Sequence, residues 1–173
     1  MDRDGVINKI VLRKGNPSSP RKFQEFELLP GIELALCHFK EKGFLNIIVT
    51  NQPDIARGLM LLSELTRMHK KIEEELKMDD IMVCVHDDMD NCYCRKPKVG
   101  MLIEASKKWD IDLKRSFLVG DGWKDMMAGK EAGCTTILLD RVYNKGTVAD
   151  RHVKDVCEIV GMITEGSLKG SLK

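Results

Sequence analysis

Two aspartates open the chain in the run Asp2-Arg3-Asp4-Gly5-Val6-Ile7. In extended backbone, side chains at i and i+2 point to one side. Asp2 and Asp4 can therefore hold a divalent cation together, or divide the work of nucleophile and acid/base. Gly5 permits a tight turn directly afterwards. Three further runs offer complementary groups. Val49-Thr50-Asn51-Gln52 brings a hydroxyl and a backbone amide that can bind a phosphate oxygen. Arg95-Lys96-Pro97-Lys98 brings cations that can bind phosphate and neutralise charge developing during transfer. Val119-Gly120-Asp121-Gly122-Trp123-Lys124-Asp125 places Asp121 where a strand turns into a helix, ready for a metal, with Asp125 one helical turn on. Singly, each run has a plainer reading: a charged terminus, a polar turn, a solvated basic turn, or a helix cap at Asp121.

A fifth group is denser. Cys84-x-His86 and Cys92-x-Cys94 bracket five residues. Four soft nitrogen and sulfur ligands within one short segment suit tetrahedral zinc. The competing reading is a set of thiols and a surface histidine unconnected with metal. A closed four-ligand site has no open position for catalysis, so zinc here would be structural, ordering residues 84–94 and aiming Arg95 and Lys96. Asp87, Asp88 and Asp90 read as solvated. Cys37, Cys134 and Cys157 read as core filling, and Met126 and Met127 as packed on a sheet.

These groups need a scaffold, and the apolar pattern supplies one. Pro30 and Gly31 open a helix to Lys42, with Ile32, Ala35, Leu36 and Phe39 as its apolar stripe. Leu45–Val49 reads as a buried strand. A helix capped by Ser63 follows, carrying Leu65, Met68, Ile72 and Leu76 on one face. Ile81–Val85 reads as a strand, Met101–Trp109 as a helix, Phe117–Val119 as a strand, Trp123–Ala132 as a helix and Thr135–Leu139 as a strand. A last helix is expected near Val153–Ile163. Residues 8–29 read as irregular. Alternating strands and helices imply an α/β fold with a parallel sheet covered on both faces, where ligands bind at the carboxyl ends of strands. All four catalytic candidates fall there.

The length of 173 residues suits one domain, expected over 1–165, with a disordered tail at 166–173 where Gly-Ser-Leu-Lys occurs twice. With 28 Lys and Arg against 27 Asp and Glu, the chain has no charge bias toward nucleic acid or an anionic membrane. No apolar run is long enough to span a bilayer, and no secretory signal is visible. The expected setting is cytoplasmic, with a small phosphorylated metabolite as partner and a monomeric state.

In their order, the runs resemble the haloacid dehalogenase superfamily over residues 2–140. The strings "DRDGVIN", "VTNQPDIARG", "CYCRKPKVGML" and "VGDGWKDMMAG" look like its heptose-bisphosphate phosphatase and histidinol-phosphatase branch. That resemblance implies a three-layer Rossmann-like fold without a large cap domain. It implies Asp2 as nucleophile, Asp4 as acid/base, and Thr50 and Lys96 as holders of the transferring phosphoryl group. It implies Mg²⁺ at Asp2, Asp121 and the Asp4 backbone carbonyl, with Asp125 in support. Arg95 and Asn51 would contact the substrate beyond its phosphate, and Cys84, His86, Cys92 and Cys94 would hold structural zinc. The implied reaction is hydrolysis of D-glycero-D-manno-heptose 1,7-bisphosphate at its 7-phosphate, through an aspartyl-phosphate. The alternatives are a histidinol-phosphatase, or a non-catalytic zinc-containing remnant that binds phosphorylated ligands. Two departures stand out. Only Met1 precedes Asp2, so the apolar first strand of the family looks truncated and Asp2 is expected on a mobile terminus. Gly122 stands where relatives often carry Lys or Arg.

Overall fold

The computed structural model describes residues 1–164, so the expected disordered tail lies outside the described residues. The segment read as irregular contains a small antiparallel hairpin, β1 (Val11–Arg13) with β2 (Asn16–Ser18). Its turn residues Lys14 and Gly15 both have positive φ, 51° and 80°, the geometry whose twist suits a two-residue hairpin loop. Then come α1 (Ile32–Glu41), β3 (Ile47–Asn51), α2 (Leu62–Glu75), β4 (Asp80–Cys84), α3 (Gly100–Trp109), β5 (Phe117–Gly120), α4 (Trp123–Ala132), β6 (Thr135–Leu139), β7 (Arg151–Val153) and α5 (Val156–Thr164).

β3 pairs with β4, and β5 with β6 and β6 with β7, all in parallel. Side chains alternate across the strands and sort into two cores. Ile48, Val119 and Ile137 pack with Ile32, Leu36 and Phe39 of α1, Met68 and Ile72 of α2, and Ile159 of α5. Ile47, Val49 and Leu118 pack with Met101, Leu102 and Ala105 of α3 and Ala128 of α4. The result is the three-layer arrangement, α1, α2 and α5 on one face and α3 and α4 on the other, without a large cap domain among the described residues.

Met1 and Asp2 bridge the two strand sets. The Met1 ammonium donates to the Ile47 carbonyl (2.7 Å). Val49 N–H donates to the Met1 carbonyl (2.9 Å), and Asp2 N–H to the Val119 carbonyl (2.8 Å). Asp2 is thus pinned by backbone bonds between β3 and β5, which corrects the expected mobile terminus. Beyond Met1 the gap between these strands opens into a cavity of about 600 Å³, lined in part by Phe44, Ile47, Leu102, Trp109 and Phe117. Burial leaves the Met1 ammonium poorly solvated and, with Lys96 nearby, lowers its pKa to about 6.

Several expected boundaries move. The strand read at Leu45–Val49 is Ile47–Asn51. Leu45 is half-exposed, and Asn46 turns its amide to the Leu36 and Lys77 carbonyls. Pairing with β4 sets the ends, carrying the strand through polar Thr50 and Asn51. Val153 ends β7 instead of starting the last helix. Met127 and Cys157 are exposed, whereas Met126 and Cys134 are buried as expected. No described helix is long and apolar enough to cross a membrane.

Candidate active site

The carboxyl ends of the strands bring three acids together. One carboxylate oxygen from each of Asp2, Asp121 and Asp125 lies within 4.8 Å of the others. Asp2 follows the Met1 bridge, Asp121 follows β5, and Asp125 lies in the first turn of α4. Two glycines make the approach possible. A Cβ on Gly5 would sit 1.9 Å from Asp121 Oδ2, and one on Gly120 would sit 2.3 Å from Asp125 Cβ. Gly5 also has φ +81°, a conformation that disfavours any side chain.

Lys96 is the cation inside this group. Its Nζ donates to Asp2 Oδ1 (2.8 Å), Asp125 Oδ1 (2.5 Å) and the Val49 carbonyl (2.7 Å). Burial opposes its charge, but Asp125 and Asp2 outweigh that and hold its pKa above the usual lysine range. Burial pushes Asp2 up to about 6 even though Lys96 pulls the other way. Burial, and then the charge of Asp2, pushes Asp121 up to about 7. Three carboxylates facing one ammonium leave a surplus of negative charge. An all-oxygen donor set with that surplus fits a hard divalent cation such as Mg²⁺.

Asp4 is placed differently. Its carboxylate accepts from Arg3 Nη2 (2.8 Å), Asn8 Nδ2 (2.9 Å), Ser19 Oγ (2.8 Å) and Gln52 Nε2 (2.7 Å). Burial works against the charge, yet Arg3 and these donors win and its pKa is lowered. The side chain therefore stands apart from the trio of Asp2, Asp121 and Asp125. Arg3 is fully buried, and its Nη1 lies 3.2 Å from His69 Nε2, so His69 has a neighbour that its isolated position in the sequence does not suggest.

Thr50 is buried at the end of β3, its hydroxyl oxygen accepting from Gln52 Nε2 (2.9 Å). Asn51 is committed to the backbone of Lys96: its Nδ2 donates to the Lys96 carbonyl and its Oδ1 accepts from the Lys96 N–H, both at 3.0 Å. That use positions Lys96 and leaves little of the amide for a substrate. Tyr143, Asn144 and Arg141, in the loop after β6, also reach the site. Tyr143 Oη–H donates to Asp121 Oδ2. No motif marks these residues; the one signal is that their loop follows a strand.

The sulfur and nitrogen ligands also converge. Cys84 Sγ lies 3.6 Å from both His86 Nδ1 and Cys92 Sγ, and Cys94 Sγ lies 3.4 Å from both. Zinc with bonds of about 2.3 Å in a tetrahedron requires ligand separations of about 3.8 Å, so the four atoms are near the edges of one coordination shell. Burial pushes the Cys84 thiol up to about 12, and a bound cation is what would keep it as thiolate there. Two of this loop's three aspartates, Asp87 and Asp88, are paired with cations, and Asp90 accepts from the Asp87 N–H (2.7 Å). Arg57 grips Asp87 through Nε (2.8 Å). Arg95 Nε (2.8 Å) and Lys124 Nζ (3.3 Å) both donate to Asp88 Oδ1. Arg95 Nη1 also donates to the His86 carbonyl (3.3 Å), which ties the guanidinium to the cysteine loop.

Comparison with known proteins identifies the family. A family model described as HAD-hydrolase-like matches residues 93–156. The chain is 34% identical over 173 residues to the D-glycero-alpha-D-manno-heptose-1,7-bisphosphate 7-phosphatase of Campylobacter jejuni, covering 95% of this chain and 94% of that one. It is 36% identical over 145 residues to the D-glycero-beta-D-manno-heptose-1,7-bisphosphate 7-phosphatase of Helicobacter pylori, covering 80% of each. The crystal structure of the D,D-heptose 1,7-bisphosphate phosphatase of Bordetella bronchiseptica, complexed with magnesium and phosphate, superposes with a TM-score of 0.82 at 27% identity, over 95% of this chain and 96% of that one.

Proposed function

The chain belongs to the HAD-like hydrolases, among the heptose-1,7-bisphosphate 7-phosphatases, and is a phosphatase; from that premise we propose that it removes the 7-phosphate of a D-glycero-D-manno-heptose 1,7-bisphosphate through an aspartyl-phosphate on Asp2. The observation that carries this reading is the convergence of Asp2, Asp121 and Asp125 on one point beside the buried Lys96.

The chemical difficulty is attack by a carboxylate on a phosphate dianion. Mg²⁺, held by Asp2, Asp121 and the Asp4 carbonyl with Asp125 in support, would supply charge neutralisation and in-line alignment. An Asp2 oxygen attacks phosphorus, and the bond from phosphorus to the substrate's O7 breaks. Asp4 gives its proton to that oxygen. A water then attacks phosphorus, the acyl-phosphate bond to Asp2 breaks, and Asp4 takes the water proton. Thr50 and Lys96 hold the non-bridging oxygens through both steps, Lys96 by releasing one of its three protein acceptors to do so. Asp4 rests among donors that keep it ionised, the state required of the base; as the acid it must leave Arg3 and take up a proton from solvent before it meets the leaving oxygen, a proton that the attacking water replaces in the second step. Arg95, buried and held by Asp88 and the His86 carbonyl, would turn from them to contact the rest of the substrate, and zinc at Cys84, His86, Cys92 and Cys94 would fix the loop that carries it.

The test is phosphate release from heptose 1,7-bisphosphate and from histidinol phosphate, side by side with Mg²⁺, for the wild type and Asp2→Asn. The expected result is preference for the heptose substrate and near-complete loss in the variant. Turnover retained by Asp2→Asn refutes the nucleophile assignment, and preference for histidinol phosphate refutes the substrate.

A further inference from the structure

We infer that Tyr143 is a positioning residue for the cation site, the working end of a clasp that ties the turn after Asp2 to Asp121. The inference rests on the reading that Asp2, Asp121 and Asp125 hold Mg²⁺. The clasp is one short loop after β6. Tyr143 Oη–H donates to Asp121 Oδ2. Asn144, which is buried, donates through Nδ2 to the Asp121 carbonyl (2.9 Å) and to the Leu139 carbonyl (2.8 Å). Its Oδ1 accepts from Arg141 N–H (2.8 Å). Arg141 Nη2 donates to the Gly5 carbonyl (3.2 Å), while its Nη1 is anchored on the Lys154 carbonyl (2.9 Å). Three neighbouring residues thus hold the side chain of Asp121, its backbone, and the turn behind Asp2, which lies at the other end of the chain.

The physical need is specific. Asp121 sits on a loop, and its carboxylate can rotate about two side-chain bonds. A cation must then pay to order it. A hydrogen bond to one oxygen fixes that rotation before the ion arrives, and such outer partners of metal ligands are commonly worth ten- to a hundredfold in affinity. The contact also depends on Gly5, because a Cβ there would lie 1.9 Å from Asp121 Oδ2 and 3.1 Å from Tyr143 Oη. The ring is partly exposed at 39%, so its removal from the fold is not required for the hydroxyl to be tested alone.

The experiment is titration of the metal-free site with Mn²⁺, followed by loss of its free EPR signal, on zinc-loaded protein. Wild type, Tyr143→Phe and Asp121→Asn are compared, the last giving the background from any other site. Tyr143→Phe should bind Mn²⁺ about tenfold more weakly with an unchanged melting temperature. In turnover it should need about tenfold more Mg²⁺ for half-maximal rate, yet recover most of kcat at saturation with the KM for sugar phosphate unchanged. Equal Mn²⁺ affinity in Tyr143→Phe and wild type overturns the inference. So does a turnover defect that saturating Mg²⁺ does not repair, which would make the tyrosine structural. If wild type binds Mn²⁺ no better than Asp121→Asn, the cation site itself fails, and the inference falls with it for that separate reason.

Discussion

Replacing Lys96 by methionine keeps most of the side-chain volume and removes the ammonium between Asp2 and Asp125. The side chains of Lys96, Asp125 and Asp2 are 3%, 5% and 14% exposed, so water cannot take over the lost contacts. Breaking a buried ion pair from one side costs about 3–5 kcal/mol. One orphaned carboxylate can relieve part of that cost by holding a proton, each pKa unit of further rise costing about 1.4 kcal/mol, and Asp2 already stands at about 6 in the wild type. The direction with pH follows. A carboxylate whose pKa is raised in the folded state binds a proton that the unfolded chain does not. Its contribution is present below the ordinary pKa and is lost as pH rises through the raised one. The deficit of Lys96→Met should therefore be full at pH 8 and shrink on acidification to pH 5. Urea unfolding in Mg²⁺-free buffer measures it, and added Mg²⁺ should restore part of it at pH 8. Phosphate release should fall by at least about a hundredfold, as when one preorganised donor to a reacting anion is removed. A variant as stable as wild type at pH 8 refutes the reasoning, as does a deficit that acidification leaves unchanged.

Protons compete with Mg²⁺ for Asp2 and Asp121, whose pKa values are raised to about 6 and about 7. Thermal stabilisation by saturating Mg²⁺ should therefore be larger at pH 8 than at pH 5.5; equal melting shifts at the two pH values count against the site. Cys92→Ser opens the four-ligand cluster, so elemental analysis should find zinc lost and the KM for the sugar phosphate should rise more than kcat falls, because Arg95 is anchored on that loop. An unchanged KM in zinc-free protein would separate the loop from substrate binding. Adding three or four apolar residues ahead of Met1 should fill the cavity between β3 and β5 and raise the unfolding free energy measured in urea, by about 1.5–3 kcal/mol for each large side chain buried. An extension that adds no stability would mean that the cavity does not accept a strand.

What the sequence reveals of this site depends on how local each signal is. Thr50, Lys96 and Asp121 stand in short runs whose neighbours already mark a strand end or a turn, and the four-ligand cluster is written into the spacing of Cys84, His86, Cys92 and Cys94. Asp2 is legible as a type but not as a place, since its position comes from three backbone bonds to β3 and β5 that no pattern announces. The surroundings of Asp4 are equally hidden. Ser19 reaches it only because the hairpin segment folds back over the site, and Gln52 because β3 ends there. Asn51 looks like a substrate contact from its neighbours, yet both ends of its amide are used on Lys96, 45 residues away. Tyr143 is 22 residues from Asp121 and meets it only through the order of strands in the sheet. Strand ends moved for a related reason: backbone pairing across β3 and β4 sets them, and a run of apolar letters does not.

Asp2, as the proposed carrier of the phosphoryl group, can be trapped during turnover. Stopping the reaction with acid in the first turnover, reducing with borohydride and sequencing the peptides by mass spectrometry tests that role directly, because an acyl phosphate is reduced where a free carboxylate is not. Homoserine is expected at position 2 in wild type and none in Asp2→Asn. Reduction at another acid, or no reduced residue while phosphate is released at the full rate, would contradict it.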